Sequence, residues 1–350
     1  MKKVLFILCI FLVACVAPIE QTPNKSAPSI EQLPPTDDIF TQEPEPVEIE
    51  PTDIPVVEEP LPTIFLENRT LHGVGFRGTI AHTYDGGENW ILHGDWDTNT
   101  DFYGTYFLDE KIGWAVGSNG KIFHTINGVD WQPQVSGTGE ILRSVYFTDE
   151  NNGWITSDDG RILHTTDSGT SWGMIQTPSS DPLNFIIFTE DNVGWVLGDR
   201  GTILKTSDTG KSWRMQESNT IFNLHSATFF SSTLGWIVGS NGVILKTEDG
   251  NTWTSQESGT PKDLYGVSFV DRKNGWATGE RGIILHSNGG SWLSQYVSVD
   301  SDLYDIQFVD KTTGWVVGQN GRIFQTTDGG TTWDSQISNT GFHLRSIAVS

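Results

Sequence analysis

The sequence predicts an all-β fold, a seven-bladed β-propeller of four-stranded blades over residues 64–350, closed by pairing of the C-terminal strand with the first blade. Three observations carry this reading. Two series of tryptophans recur about every 40 residues. Each interval holds four short runs of β-branched and aromatic residues separated by turn residues. The repeat is also out of phase with the chain, beginning on a second strand and stopping on a first.

Taken in order, the chain opens Met1-Lys2-Lys3, then an apolar run from Val4 to Ala14, then Cys15. That run is a signal-peptide core, too short to span a bilayer as a mature helix. Leu12-Val13-Ala14-Cys15 looks like a bacterial lipobox, in which the Cys thiol takes a diacylglycerol and becomes the first mature residue. Residues 1–14 would then be removed with Cys9, leaving Cys15 as the lipidation site. The expected location is outside the cytoplasm, lipid-anchored to the outer face of the cell membrane or in the periplasm. An ordinary signal peptide with a chance cysteine is the alternative.

Residues 15–63 change composition. Eleven prolines lie between Pro18 and Pro62, with eleven Asp and Glu against the single Lys25. Proline breaks helix and ladder alike, and like charges repel, so an extended tether is expected with a reach on the order of 100 Å.

The 350 residues carry 44 acidic against 21 basic side chains, a formal charge of −23. A chain this acidic is not built to neutralise phosphates, which argues against nucleic acid as a partner. Both cysteines fall within the first 15 residues. The folded part therefore has no disulfide framework, iron–sulfur site or thiolate zinc site.

Gly-Trp pairs end at Trp114, Trp154, Trp195, Trp236, Trp276 and Trp315, and a second series runs Trp90, Trp131, Trp172, Trp213, Trp253, Trp292 and Trp333. One repeat parses into strands Leu142 to Phe147, Gly153 to Thr156, Arg161 to Thr166 and Trp172 to Thr177. The first-strand motif occurs at Phe102, Leu142, Leu183, Leu224, Leu264, Leu303 and Leu344, hence seven blades. The first second-strand copy, Leu71-His72-Gly73-Val74-Gly75, lacks the tryptophan. The orphan strand Leu344 to Val349 should complete that opening blade, leaving no raw sheet edge.

Thr83 to Trp90 fits Ser/Thr-x-Asp-x-Gly-x-x-Trp, the Asp-box of neuraminidase-type repeats, as do Thr165 to Trp172, Thr206 to Trp213 and Thr326 to Trp333. Copies at Thr125, Thr247 and Ser287 are shortened. The Asp can accept from N–H groups of its own turn while the Trp packs between blades, a folding role. The longer pattern in Gly314 to Trp333, Gly-Trp-Val-Val-Gly-Gln-Asn-Gly-Arg-Ile-Phe-Gln-Thr-Thr-Asp-Gly-Gly-Thr-Thr-Trp, resembles the photosystem II stability and assembly factor family. The resemblance covers about residues 64 to 350. It implies a lumenal or periplasmic seven-bladed propeller that helps build a reaction centre and uses an arginine-rich patch.

Equivalent positions can be read around the ring. Directly after the residue opening each innermost strand come Tyr103, Arg143, Asn184, His225, Tyr265, Tyr304 and Arg345, expected to ring the channel mouth. Turns on the same face place Arg77, Asn119, Asp159, Arg200, Asn241, Arg281 and Asn320 in a wider ring, with Arg161 and Arg322 close by. Seven of the ten arginines fall on this face, so a polarised surface is expected. Arg with Tyr is also the composition of interface hot spots. The opposing reading is that turn arginines are solvated and neutralised by Asp159 and Glu280.

The residues argue against the enzyme readings. Sialidases resemble the chain in their Asp-boxes but need an Arg triad, a Tyr–Glu pair and an Asp acid, and no Glu accompanies Arg143, Arg345 and Tyr304. Propeller glucanases need two carboxylates across a cleft, and repeats of about 40 residues leave no insert to wall one. No Gly-x-Ser-x-Gly elbow and no His-x-x-x-His spacing occurs. Neither catalysis, cofactor nor metal is expected. The reading is a monomeric, non-enzymatic, lipid-anchored platform for a protein or protein complex of the cell envelope. A carbohydrate-binding or glycosidase-like surface protein is the alternative, and a purely structural envelope component a third.

Overall fold

The computed structural model describes residues 69–93, 99–295 and 297–350. The expected signal sequence, Cys15 and the tether lie outside the described residues. The described chain forms seven four-stranded antiparallel sheets, each a meander with its strands in sequence order except the first. In that first blade the inner strand is Leu344–Val349, followed outward by Leu71–Gly75, Ile80–Thr83 and Ile91–His93. Leu71 pairs with Val349 and Val74 with Ser346, so the seven-bladed, C-terminally closed architecture expected from the repeat is the one observed.

Blade 3 has the four strands expected from the sequence, with small shifts at their ends. Its strands are Leu142–Phe147, Gly153–Ser157, Ile162–Thr165 and Gly173–Ile175. The outer strand is shorter than Trp172 to Thr177, because Trp172 still belongs to the Asp-box turn. No α-helix occurs among the described residues. Five turns between second and third strands tighten into single 3-10 turns, such as Ser118–Gly120 and Glu280–Gly282.

The blades are held together by one aromatic layer. In blades 2, 4, 5 and 6 the Gly-Trp tryptophan stacks on a phenylalanine at or near the end of the next blade's inner strand, Trp114 on Phe147 at 3.5 Å and Trp276 on Phe308 at 3.6 Å between centroids, while Trp154 meets Phe188 tilted at 4.5 Å. Such a pair adds about 1 kcal/mol beyond the area it buries. Within a blade the same phenylalanine covers the Gly of the Gly-Trp pair: a Cβ on Gly153 would fall 2.3 Å from the Phe147 ring. Blade 1 solves this contact differently. Val349 ends its inner strand in place of Phe, which makes room for Leu71 opposite. His72 stands where the other blades have Trp and stacks on Phe107 at 3.6 Å.

A second tie joins the outer strands. Gln134 accepts from Trp172 Nε1 of the next blade at 3.4 Å and donates to the Ser168 carbonyl at 2.8 Å. Gln216 does the same with Trp253 Nε1 and the Gly250 carbonyl, at 3.1 and 3.0 Å. Gln256 accepts from Trp292 and Gln336 from Trp90. His93 and Ile175 occupy this slot in blades 1 and 3.

The Asp-boxes have the structural role expected. In blade 3, Thr165 Oγ1 donates to Asp167 Oδ1 at 2.7 Å and accepts from Gly169 N at 2.9 Å, while Ser171 N donates to Asp167 Oδ1 at 2.9 Å. The matching Asp208 is held down at about 2 by hydrogen bonds from Ser212.

Candidate functional site: the channel mouth

The inner strands line a central cavity of about 430 Å³, and all seven residues of the expected inner ring border it: Tyr103, Arg143, Asn184, His225, Tyr265, Tyr304 and Arg345. The cause is a bulge. In blades 2, 4, 5, 6 and 7 the register with the second strand slips by one residue just after the opening residue, between Phe102 and Gly104 and between Leu303 and Asp305 for instance. Arg143 and Arg345 lie in the corresponding slips of blades 3 and 1. The extra residue in a bulge leaves the ladder and its side chain is re-aimed, here toward the channel.

The mouth is lined asymmetrically. Aromatic rings form an arc across blades 5, 6, 7, 1 and 2: His225 to Tyr265 at 5.6 Å, Tyr265 to Tyr304 at 5.7 Å, Tyr304 to His343 at 6.2 Å, His343 to Phe76 at 5.0 Å, and Phe76 to Tyr103 at 6.0 Å. Arg345 lies inside this arc, its guanidinium carbon 3.8 Å from the Tyr304 ring centroid and 4.8 Å from that of Phe76. Its Nε is buried and has no hydrogen-bond partner among the described residues. Burial lowers the pKa of His343, and the neighbouring Arg345 charge lowers it further. His225 is likewise lowered by burial, against the pull of Asp263 and Asp199, and its Nε2 meets Ser240 Oγ at 2.9 Å. Burial raises the Tyr265 hydroxyl, assisted by Asp302 and Asp263.

Several of the arginines expected on this face have carboxylates of the chain beside them. Arg143 forms a two-point pair with Asp158, with Nη2 donating to Oδ2 at 3.0 Å. Burial opposes its charge, but the Asp158 hydrogen bonds and charge outweigh burial and raise its pKa. Arg161 pairs with Asp159, Arg200 with Asp181, and Arg281 with Glu280 at 3.5 Å. The carboxylates come from the same face, so each of these four guanidinium groups already has a counter-charge beside it, partly buried at Arg143 and Arg161 and largely exposed at Arg200 and Arg281. The solvated-and-neutralised alternative therefore describes this part of the face. Arg77, Arg322 and Arg345 form no ion pair among the described residues. Arg77 lies 5.1 Å over the Phe342 ring instead.

The wider ring has its own backbone signature. Arg77, Arg200 and Arg281 have φ of 54°, 53° and 51°, matching Asn119, Asn241 and Asn320 at 57°, 56° and 59°. Asn tolerates this left-handed conformation, whereas for arginine it carries about 1 kcal/mol of strain. Side chains preceding the next inner strand hold the turn: Arg77 N donates to Asp101 and Arg281 N to Asp302, at 3.0 and 3.1 Å.

One ionisable group of the site is not signalled by the repeat. Asp305 is the acid on the inner strands, at a position held by Gly or Ser in five other blades and by Phe185 in blade 4. It accepts from Ile306 N at 2.8 Å, Ile347 N at 2.9 Å and Ser346 Oγ at 3.2 Å, tying blade 7 to the closing strand. Burial nevertheless pushes its pKa up to about 6. Aligning the inner strands would have exposed it as the odd residue. Phe76 and His343, which complete the aromatic arc, lie outside the repeat positions compared. No group of three or more His, Cys, Asp or Glu that would hold a metal occurs among the described residues.

Fold and mouth define a closed seven-bladed propeller of Asp-box repeats with an arginine–aromatic channel entrance. The chain belongs to the family described as photosynthesis system II assembly factor YCF48, whose model matches residues 93–182, 172–257, 216–288 and 286–349. A sequence comparison with curated proteins gave no significant match. Among solved structures, one described as YCF48 bound to D1 peptide is 19% identical with a TM-score of 0.64, over 75% of this chain and 89% of that one. YCF48 from Cyanidioschyzon merolae is 18% identical with a TM-score of 0.57, covering 69% and 87%. A catalytically inactive virginiamycin B lyase from Staphylococcus aureus with quinupristin is 16% identical with a TM-score of 0.60, covering 68% and 85%. These likenesses establish the fold, and the last shows that the same architecture also serves enzymes.

Proposed function

We propose that the chain is a non-catalytic, lipid-anchored platform that binds a protein during assembly of an envelope or photosynthetic complex, using its channel-mouth face. The observation that carries this reading is the preformed arc of aromatic rings around an arginine that no carboxylate among the described residues occupies. Large rigid side chains and Arg supply contact area at low ordering cost, the composition of interface hot spots. Family membership agrees, and the related structure described as bound to a D1 peptide is a propeller in contact with a peptide. Catalysis by paired carboxylates finds little support on the inner strands, where the oxygens of Asp305 accept from Ile306, Ile347 and Ser346. Cys15 would carry the lipid and the acidic segment after it would set the distance from the membrane.

The test is affinity capture with the full mature chain from detergent-solubilised envelope of the source cells. Specific retention of one protein or complex, lost when Tyr304 and Tyr265 are both changed to Ala, is the expected result. Retention of glycans with no protein would replace this reading by the carbohydrate-binding one.

A further inference from the structure

We infer that recognition at this face is confined to the closing sector, where Arg345 takes a single side-chain carboxylate from an extended segment of the partner. The ion-paired arginines of blades 3, 4 and 6 make no such contact. This inference rests on the platform reading above and specifies which part of the face acts and on what chemistry.

The argument starts from which guanidinium groups are already used. Arg143, Arg161, Arg200 and Arg281 each have a carboxylate of the chain itself within pairing distance. At Arg143 and Arg161, which are partly buried with their partners, an incoming carboxylate would have to displace Asp158 or Asp159 and leave it unpaired, which removes most of the gain. Arg200 and Arg281 are largely exposed, so their pairs cost little to break, but no aromatic ring among the described residues holds either guanidinium in place. Arg345 needs no such displacement. Its Nε is buried and unsatisfied among the described residues, and a buried donor without a partner is costly until something accepts from it. Tyr304 and Phe76 hold the guanidinium plane by stacking, so little side-chain freedom remains to be lost on binding.

The surroundings set the kind of ligand. A guanidinium presents parallel donors that match the two oxygens of one carboxylate. Arg345 borders the channel, while Arg77 and Arg322 lie on neighbouring turns, exposed and likewise without ion pairs among the described residues. The acids of this sector are engaged elsewhere. Asp101 accepts from Arg77 N and Asp302 from Arg281 N and Gln319 Nε2. Asp305 accepts from Ile306, Ile347 and Ser346. The rings of Tyr304, Phe76 and Tyr103 around Arg345 offer apolar surface to the residues flanking the bound acid, which an extended segment presents on both sides of it.

The direct test follows the Arg Nε–H resonances of the uniformly ¹⁵N-labelled mature chain. A buried Nε–H exchanges slowly with water and gives a resolvable signal. The chain is titrated with N-acetylglutamate amide, with N-acetylglutamine amide as the uncharged control and an N-acylated dipeptide acid to represent a chain terminus. The expected result is a saturable shift of the Arg345 signal with the glutamate probe, at least about tenfold weaker with glutamine, and no matching shift at Arg143 or Arg281. Equal response to both amides, or a response led by Arg143 or Arg281, overturns the inference, and preference for the dipeptide acid overturns the side-chain assignment.

Arg345→Gln and Arg143→Gln are then compared in the envelope capture, with circular dichroism confirming that both are folded. Partner binding reduced about tenfold or more by Arg345→Gln and less than about twofold by Arg143→Gln is expected. Capture that survives Arg345→Gln sinks this inference while leaving the platform intact. A wild-type chain that captures nothing sinks the platform reading, and the titration still decides whether Arg345 is a carboxylate site. Arg345→Lys separates planar pairing from charge, and full capture by it would overturn the two-point geometry.

Discussion

Ile175 stands where Gln134 and Gln216 stand in their blades, and Trp213 of the following blade has a buried Nε1 with no partner among the described residues. Ile175 packs against the Trp213 cluster but has nothing to accept the indole proton. Replacing it with Gln would rebuild the tie seen between Gln216 and Trp253. The expected outcome for Ile175→Gln is a gain of about 1 kcal/mol, read as a rise in denaturation midpoint. The reverse change, Gln216→Ile, should orphan Trp253 Nε1 and lower stability by about 1–2 kcal/mol.

Blade 1 should be the acid-sensitive part of the ring. Burial lowers His72 to about 3, with His82 and His93 adding to the effect, and lowers His82 to about 4, again with His93 contributing. These groups stay neutral in the folded chain but protonate near 6.5 when it unfolds. Their contribution is therefore present above that pH and drains away as pH falls through about 4 toward 3. Thermal melts between pH 7 and 4 should fall, and His72→Phe, which retains a ring against Phe107, should flatten the decline. An unchanged acid limb in that variant would place the sensitivity elsewhere.

Asp305 works in the opposite direction. Burial raises its pKa to about 6 from an ordinary 3.8, so the folded state favours the neutral form. Its stabilising contribution is complete below 3.8 and is lost as pH rises through about 6. Carbon-detected titration of the Asp305 carboxyl should give a midpoint well above that of Asp208. Asp305→Ser, adopting the residue found in blades 1, 3 and 5, should remove this step and improve stability at pH 8 relative to pH 5.

Cys15 can be tested in the cell. Cys15→Ser should abolish incorporation of a labelled fatty acid and move the protein out of the membrane fraction. Retention in the membrane with no lipid label would show that another feature holds it there.

The fold was legible because the same side chains recur at one spacing. Trp114 and Trp154 announced a repeat, and the phase mismatch at Leu71 and Leu344 announced how the ring closes. The ring of mouth residues was legible for the same reason, since equivalent positions share equivalent bulges. What repetition hides is the differences between copies. Arg143 and Arg345 look alike in sequence, yet Asp158 reaches one and no carboxylate among the described residues reaches the other. That difference depends on which turn side chain bends toward which strand, and periodicity carries no information about it. Asp305 occurs once, so no repeat position marks it.

Closure by Leu344–Val349 makes the ring sensitive to the integrity of a very short stretch of chain. Six residues supply the innermost strand of a blade whose other three strands lie at the opposite end of the propeller sequence. A copy clipped before Leu344 would retain six whole blades, yet present the unpaired Leu71–Gly75 edge and an uncovered Trp315 seam. Such a product resembles an unfinished protein to proteases and chaperones. Loss of those six residues should therefore lower the stability of the whole ring and not of one blade alone.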